Sequence, residues 1–356
     1  MSKGCVSQFL GPFLLFFVIA GSVVAQQPPI PPTTLPAPPP SDQPDQSDQS
    51  APDQEPVKTF KVGVDLVQIL FNVKDKKGGL IPSLNKDEFD VLEDNKPQTI
   101  KYFTAESDLP LTLGMLIDAS GSQTRVLDME KEVGGIFLKD VLRQKDLAFV
   151  LSFDVNVELL QDFTNSTRQL QAALNRAKIN TGGGYAANIP GVDTGGPVPT
   201  MNQNRGTLLY DAIYLASHDE LAQEVGRKAM IILTDGEDFG SQLKIKDAIE
   251  ASQKADAICY VLLIADRGVT MGFGDSEMKK LSRETGGRVI EVGNDYKKLR
   301  EAFNQIAAEL RSQYSLGYTP TNNVRDGTFR KIEIRSKSGY KIQARSGRFA
   351  PREPAD

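Results

Sequence analysis

Five oxygen-bearing side chains stand where a fold could gather them: Asp118, Ser120 and Ser122 in "DASGS", Thr207 in "GTLLYDA", and Asp235 in "LTDGED". The first three follow the apolar run 113–117 at alternate positions. A surface turn explains their polarity but not their alternation. Two carboxylates and three hydroxyls are hard donors. They suit Mg²⁺, a small ion that takes oxygen ligands in octahedral geometry and keeps several waters, with Mn²⁺ or Ca²⁺ as alternatives. Zinc does not suit this set, because the chain holds one histidine, His218, and no second useful thiol. Neutral hydroxyls leave most of an ion's charge unquenched. Such an ion draws a further anionic oxygen, most naturally a carboxylate from another molecule. That would be a binding device.

For the two acids to meet, each must leave the carboxyl end of a strand in an open parallel sheet, where the binding crevice forms. From 109 onward the text alternates in that way. Apolar strands are expected at 111–117, 147–154, 157–160, 228–234, 257–264 and 288–292. Amphipathic helices are expected at 123–142, 166–177, 207–222, 242–255, 275–285 and 294–312. Continuous apolar runs between such helices indicate an α/β fold, a doubly wound, mostly parallel sheet covered on both faces. Gly206 and Thr207 start a helix after a Gly/Asn/Pro-rich loop at 180–206.

On either side lie β-rich segments, 58–108 and 313–350, which could join into one small β-sandwich with the α/β region (109–312) inserted in it. Phe60, Val62, Val64 and Leu66 alternate, then Val67, Ile69, Phe71 and Val73 alternate in the opposite phase, as a bulge would produce. "EFDVLEDNKPQTIKYF" reads as a hairpin closed around Asp94-Asn95.

The remaining text bounds the setting. Lys3, the apolar stretch that follows and the small residues Val23 and Ala25 form the pattern of a secretory signal peptide over 1–25. Residues 26–57 are rich in Pro, Ser, Gln and Asp and read as a semi-stiff, unstructured spacer; 351–356 is a short tail. No later run reaches the roughly 20 apolar residues that spanning a bilayer requires. The expectation is an exported protein, periplasmic or secreted, with no stable membrane span after signal cleavage. A formal net charge of -5 and the lack of a Lys/Arg cluster argue against a nucleic-acid partner. Beyond the signal segment only Cys259 remains, inside an apolar run, so no intramolecular disulfide is expected.

"DASGS", with the Thr of "GTLLYDA" and the Asp of "LTDGED", resembles the metal-ion-dependent adhesion site of von Willebrand factor type A domains, whose pattern is Asp-x-Ser-x-Ser, a distant Thr and a distant Asp. All five positions are filled, and the resemblance covers about 110–312. It implies that Ser120, Ser122 and Thr207 contact the metal directly, that Asp118 and Asp235 act mainly through water, and that the carboxylate of an Asp or Glu on a protein partner completes the shell. It also implies one short antiparallel edge strand, which "VELL" fits. The flanks, "DEFDVLEDNKPQTIKYF" and "QYSLGYTP…FRKIEIRSKSGYKIQARSG", are similar to those of an exported, acidobacterial-type von Willebrand-related family. The long loop at 180–206 departs from it and borders Thr207.

Two other functions compete with a non-enzymatic adhesion or protein-binding module. One is a structural envelope protein whose metal only stiffens the fold. The other is a Mg²⁺-dependent phosphoryl-transfer enzyme. Aspartate-nucleophile phosphatases need a second acid two residues after the first, and Ser120 stands there. A Ser-His-Asp hydrolase would have to use His218, with no nucleophile elbow in view. Among neighbouring residues, Ser122 could be merely a helix cap, Asp211 either a support of the site or a solvated helix position, and Glu237 and Asp238 either caps or decorations of the loop after Asp235 or charges that bias the local field toward cations. "SRETGG" reads as a helix stop and turn.

Overall fold

The computed structural model describes residues 66–105, 109–179, 206–264 and 274–353. The expected signal segment, the spacer, the alternation at 60–64 and residues 180–205 of the long loop lie outside them.

Four strands come first: β1 (Val67–Lys74), β2 (Phe89–Glu93), β3 (Lys96–Gln98) and β4 (Ile100–Ala105). The α/β series follows with β5 (Leu111–Asp118), α1 (Leu127–Val141), β6 (Leu147–Phe153), β7 (Val157–Thr164), α2 (Thr167–Arg176) and α3 (Leu209–Leu215). It continues with β8 (Arg227–Thr234), α4 (Ile245–Lys254), β9 (Ala257–Leu263), α5 (Gly274–Thr285), β10 (Val289–Glu291) and α6 (Tyr296–Arg311). Last come β11 (Tyr314–Tyr318), β12 (Phe329–Ser336), β13 (Lys341–Ala344) and β14 (Gly347–Phe349).

The α/β series builds one six-stranded sheet in the order β10-β9-β8-β5-β6-β7. All neighbours are parallel except the β6–β7 pair, so β7 is the antiparallel edge. The chain begins in the middle at β5, winds outward through β6 and β7, then returns to β8 on the other side. The strand order reverses between β5 and β8, and ligands of such sheets collect at that switch point. Every residue of β5 and of β8 is buried, because both faces are covered. Leu113, Met115 and Ile117 face the cluster that holds α1, α2 and α6 residues, whereas Leu116 faces the cluster that holds α3, α4 and α5 residues.

The flanking strands form two four-stranded sheets, β13-β1-β11-β4 and β14-β12-β2-β3. Each combines strands from before and after the α/β series. Val67, Ile69, Phe71 and Val73 of β1 pack with Phe89 and Val91 of β2, Tyr314 and Leu316 of β11, and Ile332 and Ile334 of β12 in one core. Thus the two segments close into a small sandwich. The α/β series enters after β4 and leaves before β11, and these strands are antiparallel partners, Ala105 opposite Tyr314. Asp94 and Asn95 take φ of 48° and 63°, the paired left-handed residues that close the β2–β3 hairpin.

Two helices are shorter than their periodicity predicts. The stretch expected at 123–142 opens as a 3₁₀ turn over Gly121–Arg125 before α1 starts. The one expected at 207–222 becomes α3, a π turn over Ala216–Glu220 and a 3₁₀ turn over Leu221–Gln223. There Ser217 Oγ donates to Ile213 O, the back-bonding that competes with regular helix. The "SRETGG" stop behaves as read. Gly286 has φ of +90°, and a Cβ on Gly287 would lie 2.0 Å from the carbonyl oxygen of Cys259. Replacing Gly287 by Ala therefore forces β9 and the chain after α5 apart. The expected loss is about 3 kcal/mol, at the upper end of overpacking costs because the obstacle is backbone, read as a lower thermal unfolding midpoint.

Candidate metal centre

Asp118 is the last residue of β5 and is fully buried. Two neutral donors hold it. Its Oδ1 accepts from the backbone N–H of Ser120 at 2.9 Å, and its Oδ2 accepts from the Thr234 hydroxyl at 2.7 Å. Thr234 ends β8, and its hydroxyl accepts in turn from the backbone N–H of Gly236 at 3.1 Å. The two central strands are therefore joined at their carboxyl ends through an acid and a hydroxyl. Burial pushes the Asp118 carboxyl up to about 7, the nearby charge of Asp235 adds to this, and the bonds from Ser120 and Thr234 oppose it.

Ser120 and Ser122 leave the strand end on the 3₁₀ turn. Ser120 is 7% exposed, Ser122 is open to solvent, and their hydroxyls face each other at 2.9 Å. Neither caps a helix by its side chain: α1 has Val126 at its N-cap, and Ser120 caps the 3₁₀ turn without a side-chain bond. The simple capping explanation for Ser122 does not hold.

Asp235 follows Thr234 and is partly buried, with its Oδ1 accepting from Glu237 N at 3.1 Å. Thr207 reaches the same end of the sheet by backbone alone. It exchanges both hydrogen bonds with Phe239, at 2.8 and 2.9 Å, in the loop after β8. The next residue, Leu208, donates to Asp154 O just after β6 at 2.8 Å. Since β8 and β6 are the two neighbours of β5, the start of α3 is strapped to the loops on both sides of Asp118. No hydrogen bond among those described joins the Thr207 hydroxyl to the other four residues.

Among the described residues, no group of three or more His, Cys, Asp or Glu side chains is arranged to hold a metal. A cation here would draw on hydroxyls for direct donors and on the two aspartates for charge. The donor set fits a hard divalent ion on two counts: a buried carboxylate held only by neutral donors beside a second acid, and a pair of hydroxyls not spent on capping.

The surrounding polar residues divide cleanly. Asp211 accepts from Gln242 N and Leu243 N, both at 3.0 Å, and so ties α3 to the segment before α4. Asp238 accepts from Tyr210 N at 3.0 Å and from Ser241 Oγ at 2.6 Å, while Glu237 is exposed. His218 lies on the surface, bonded to Asp219 at 2.7 Å and stacked on Tyr214. Sequence reading missed Thr234. Its only signal was a hydroxyl ending the apolar run "MIIL", directly before Asp235.

No protein-family model matches the sequence, and no curated protein matches it either. Solved structures do. The conserved hypothetical protein BatB from Bacteroides thetaiotaomicron is 16% identical with a TM-score of 0.42, over 57% of this chain and 100% of that one. The vWF domain of the type V pili tip protein Mfa5 from Porphyromonas gingivalis is 12% identical with a TM-score of 0.40, over 56% of this chain and 94% of that one. Proximal thread matrix protein 1 from the mussel byssus, solved with a zinc-occupied MIDAS motif, is 13% identical with a TM-score of 0.45. That match covers 62% of this chain and 50% of that protein, so this chain spans half its length. Likeness at this level passes none of those proteins' properties to this chain.

Proposed function

We propose that the chain is an exported, non-enzymatic binding module of von Willebrand factor type A kind. In this reading Asp118, Ser120, Ser122, Thr207 and Asp235 hold a divalent cation, Mg²⁺ foremost, and the ion takes the carboxylate of an Asp or Glu on a protein partner. The observation that carries it is the buried Asp118 at the switch point of the sheet, fixed by Thr234 and Ser120 N, with a facing pair of serine hydroxyls beside it. The resemblance of "DASGS" and its distant partners to the adhesion-site pattern supports the same reading, and the signal-like segment 1–25 supports export. The ion's part is to attract an anionic oxygen. The chain's part is to position hydroxyls and to balance charge without quenching it.

Ser120→Ala removes one hydroxyl and keeps the bonds that Asp118 accepts from the backbone N–H of residue 120 and from Thr234. Calorimetric titration with Mg²⁺ should show loss of saturable binding, with the metal-free unfolding free energy within about 1 kcal/mol of the parent. A pull-down from cell-envelope extract, run with Mg²⁺ and with chelator, should capture a partner only with Mg²⁺ and only with the parent chain. Capture that survives both chelator and Ser120→Ala would sink the reading. One observation favours a second reading, a structural envelope protein: Asp118 lies buried beside Asp235, so an ion would relieve a repulsion within the fold. That reading requires Mg²⁺ to raise the unfolding midpoint without any metal-dependent capture.

A further inference from the structure

Helix α1 buries Leu127, Glu130, Val133, Phe137, Leu138 and Val141. All of these except Glu130 belong to the apolar cluster on that face of the sheet. Glu130 is an acid in a hydrophobic stripe. It is 0% exposed, and neither carboxyl oxygen has a hydrogen-bond partner among the described residues. Unpaired buried acids are costly, and native folds keep them for a cation, a water or a function.

Its surroundings point to one of these. Burial holds its carboxyl well above the usual range, and the charges that add to this are those of Asp118 and Asp235. Among the described residues, the opposing charge is that of Lys131, which is itself paired with Asp128 at 3.5 Å. Glu130 lies in the first turn of α1, the helix that follows the serine turn, within reach of the charges of Asp118 and Asp235. Gln123, on that turn, is 1% exposed and also has a buried unpartnered oxygen, while its amide reaches the Ser122 hydroxyl at 3.4 Å. Three acceptor oxygens are therefore buried there without a donor, next to two further acids.

We propose that Glu130 is a third anion beside this centre, balancing the divalent ion's charge from outside its ligand set rather than serving as a core residue. The proposal rests on the cation reading of the site. It adds that the ion is balanced by three carboxylates, two of them fully buried, so the metal is held more firmly than the serine hydroxyls alone would allow. Outer partners of this kind commonly change metal affinity by about 10- to 100-fold.

The test titrates the full chain with Mg²⁺ alone and Mn²⁺ alone, comparing the parent with Glu130→Gln and Glu130→Leu, and records thermal unfolding of each in chelator. The expected result is at least a 10-fold loss of metal affinity in both variants, with metal-free midpoints equal to or above the parent's. Parent-like affinity in both variants overturns the proposal while leaving the cation site standing. Absence of saturable binding in the parent overturns the site and the proposal together. Unfolding of both variants in chelator overturns the proposal as well, since an anion used only by the ion is not needed by the metal-free chain.

Discussion

Replacing Asp118 by Asn should abolish divalent-metal binding and, at the same time, make the metal-free protein more stable above neutral pH. Asp118 has an ordinary value near 3.8 and is pushed up to about 7 in the fold. Between these limits the folded chain binds a proton that the unfolded chain has released. The stability associated with that proton is complete below about pH 4 and is lost as pH rises through about 7. The shift of roughly three units corresponds to about 4 kcal/mol as an upper bound. Metal-free parent protein should therefore lose stability steadily from pH 4 to pH 8 in chelator, and the Asp118→Asn variant should lack much of that slope. A residual slope of the same sign should remain, because Glu130 is raised too. Mg²⁺ acts in the opposite sense: it needs the ionised carboxylate, so its stabilising effect should grow as pH rises through 7. Chelator-treated unfolding curves at several pH values, for parent and Asp118→Asn, check all of this. A parent stability that rises across pH 4–7 would contradict the assignment.

The second large effect lies in the sandwich. Glu93 of β2 is 2% exposed and accepts from Arg348 Nε of β14 at 2.9 Å and from the Tyr318 hydroxyl of β11 at 2.6 Å. Arg348 is itself only 7% exposed. One carboxylate therefore joins both sheets. Glu93→Leu leaves a buried guanidinium without its counter-charge and a buried phenol without its acceptor. Breaking a buried pair from one side costs about 3–5 kcal/mol. At roughly 2–4 °C per kcal/mol for a chain of this size, the midpoint should fall by about 10 °C. The double change Glu93→Leu with Arg348→Met should recover part of this loss, because the unpaired charge is then gone. A single variant that melts with the parent would show that the pair contributes nothing net.

The two effects differ in kind. Asp118 and Glu130 are held in the fold at a cost to metal-free stability, which is common where side chains are placed for binding. Glu93 and Arg348 offset each other's burial and need no external partner.

Much of this was readable without coordinates. Apolar runs at 113–117 and 229–233 gave buried parallel strands, because a strand covered on both faces needs no alternation. The acids closing those runs had to stand at the sheet's carboxyl edge. The Asp94-Asn95 pair marked its hairpin, since only a few residues tolerate two successive left-handed conformations. These are local properties of a few neighbouring residues. What stayed hidden depends on closure over long distances. Glu93 meets Arg348 across 255 positions, and Thr234 meets Asp118 across 116. Glu130 falls among the buried positions of α1, and nothing in the sequence reading singled it out. Its meaning came from what the folded chain packed around it: the burial, the unpartnered oxygens and the charges of Asp118 and Asp235. The sequence determined which strands end in oxygen donors. The tertiary structure decided which of those oxygens lack a partner, because hydrogen-bond satisfaction is a property of the assembled neighbourhood and not of any residue's type.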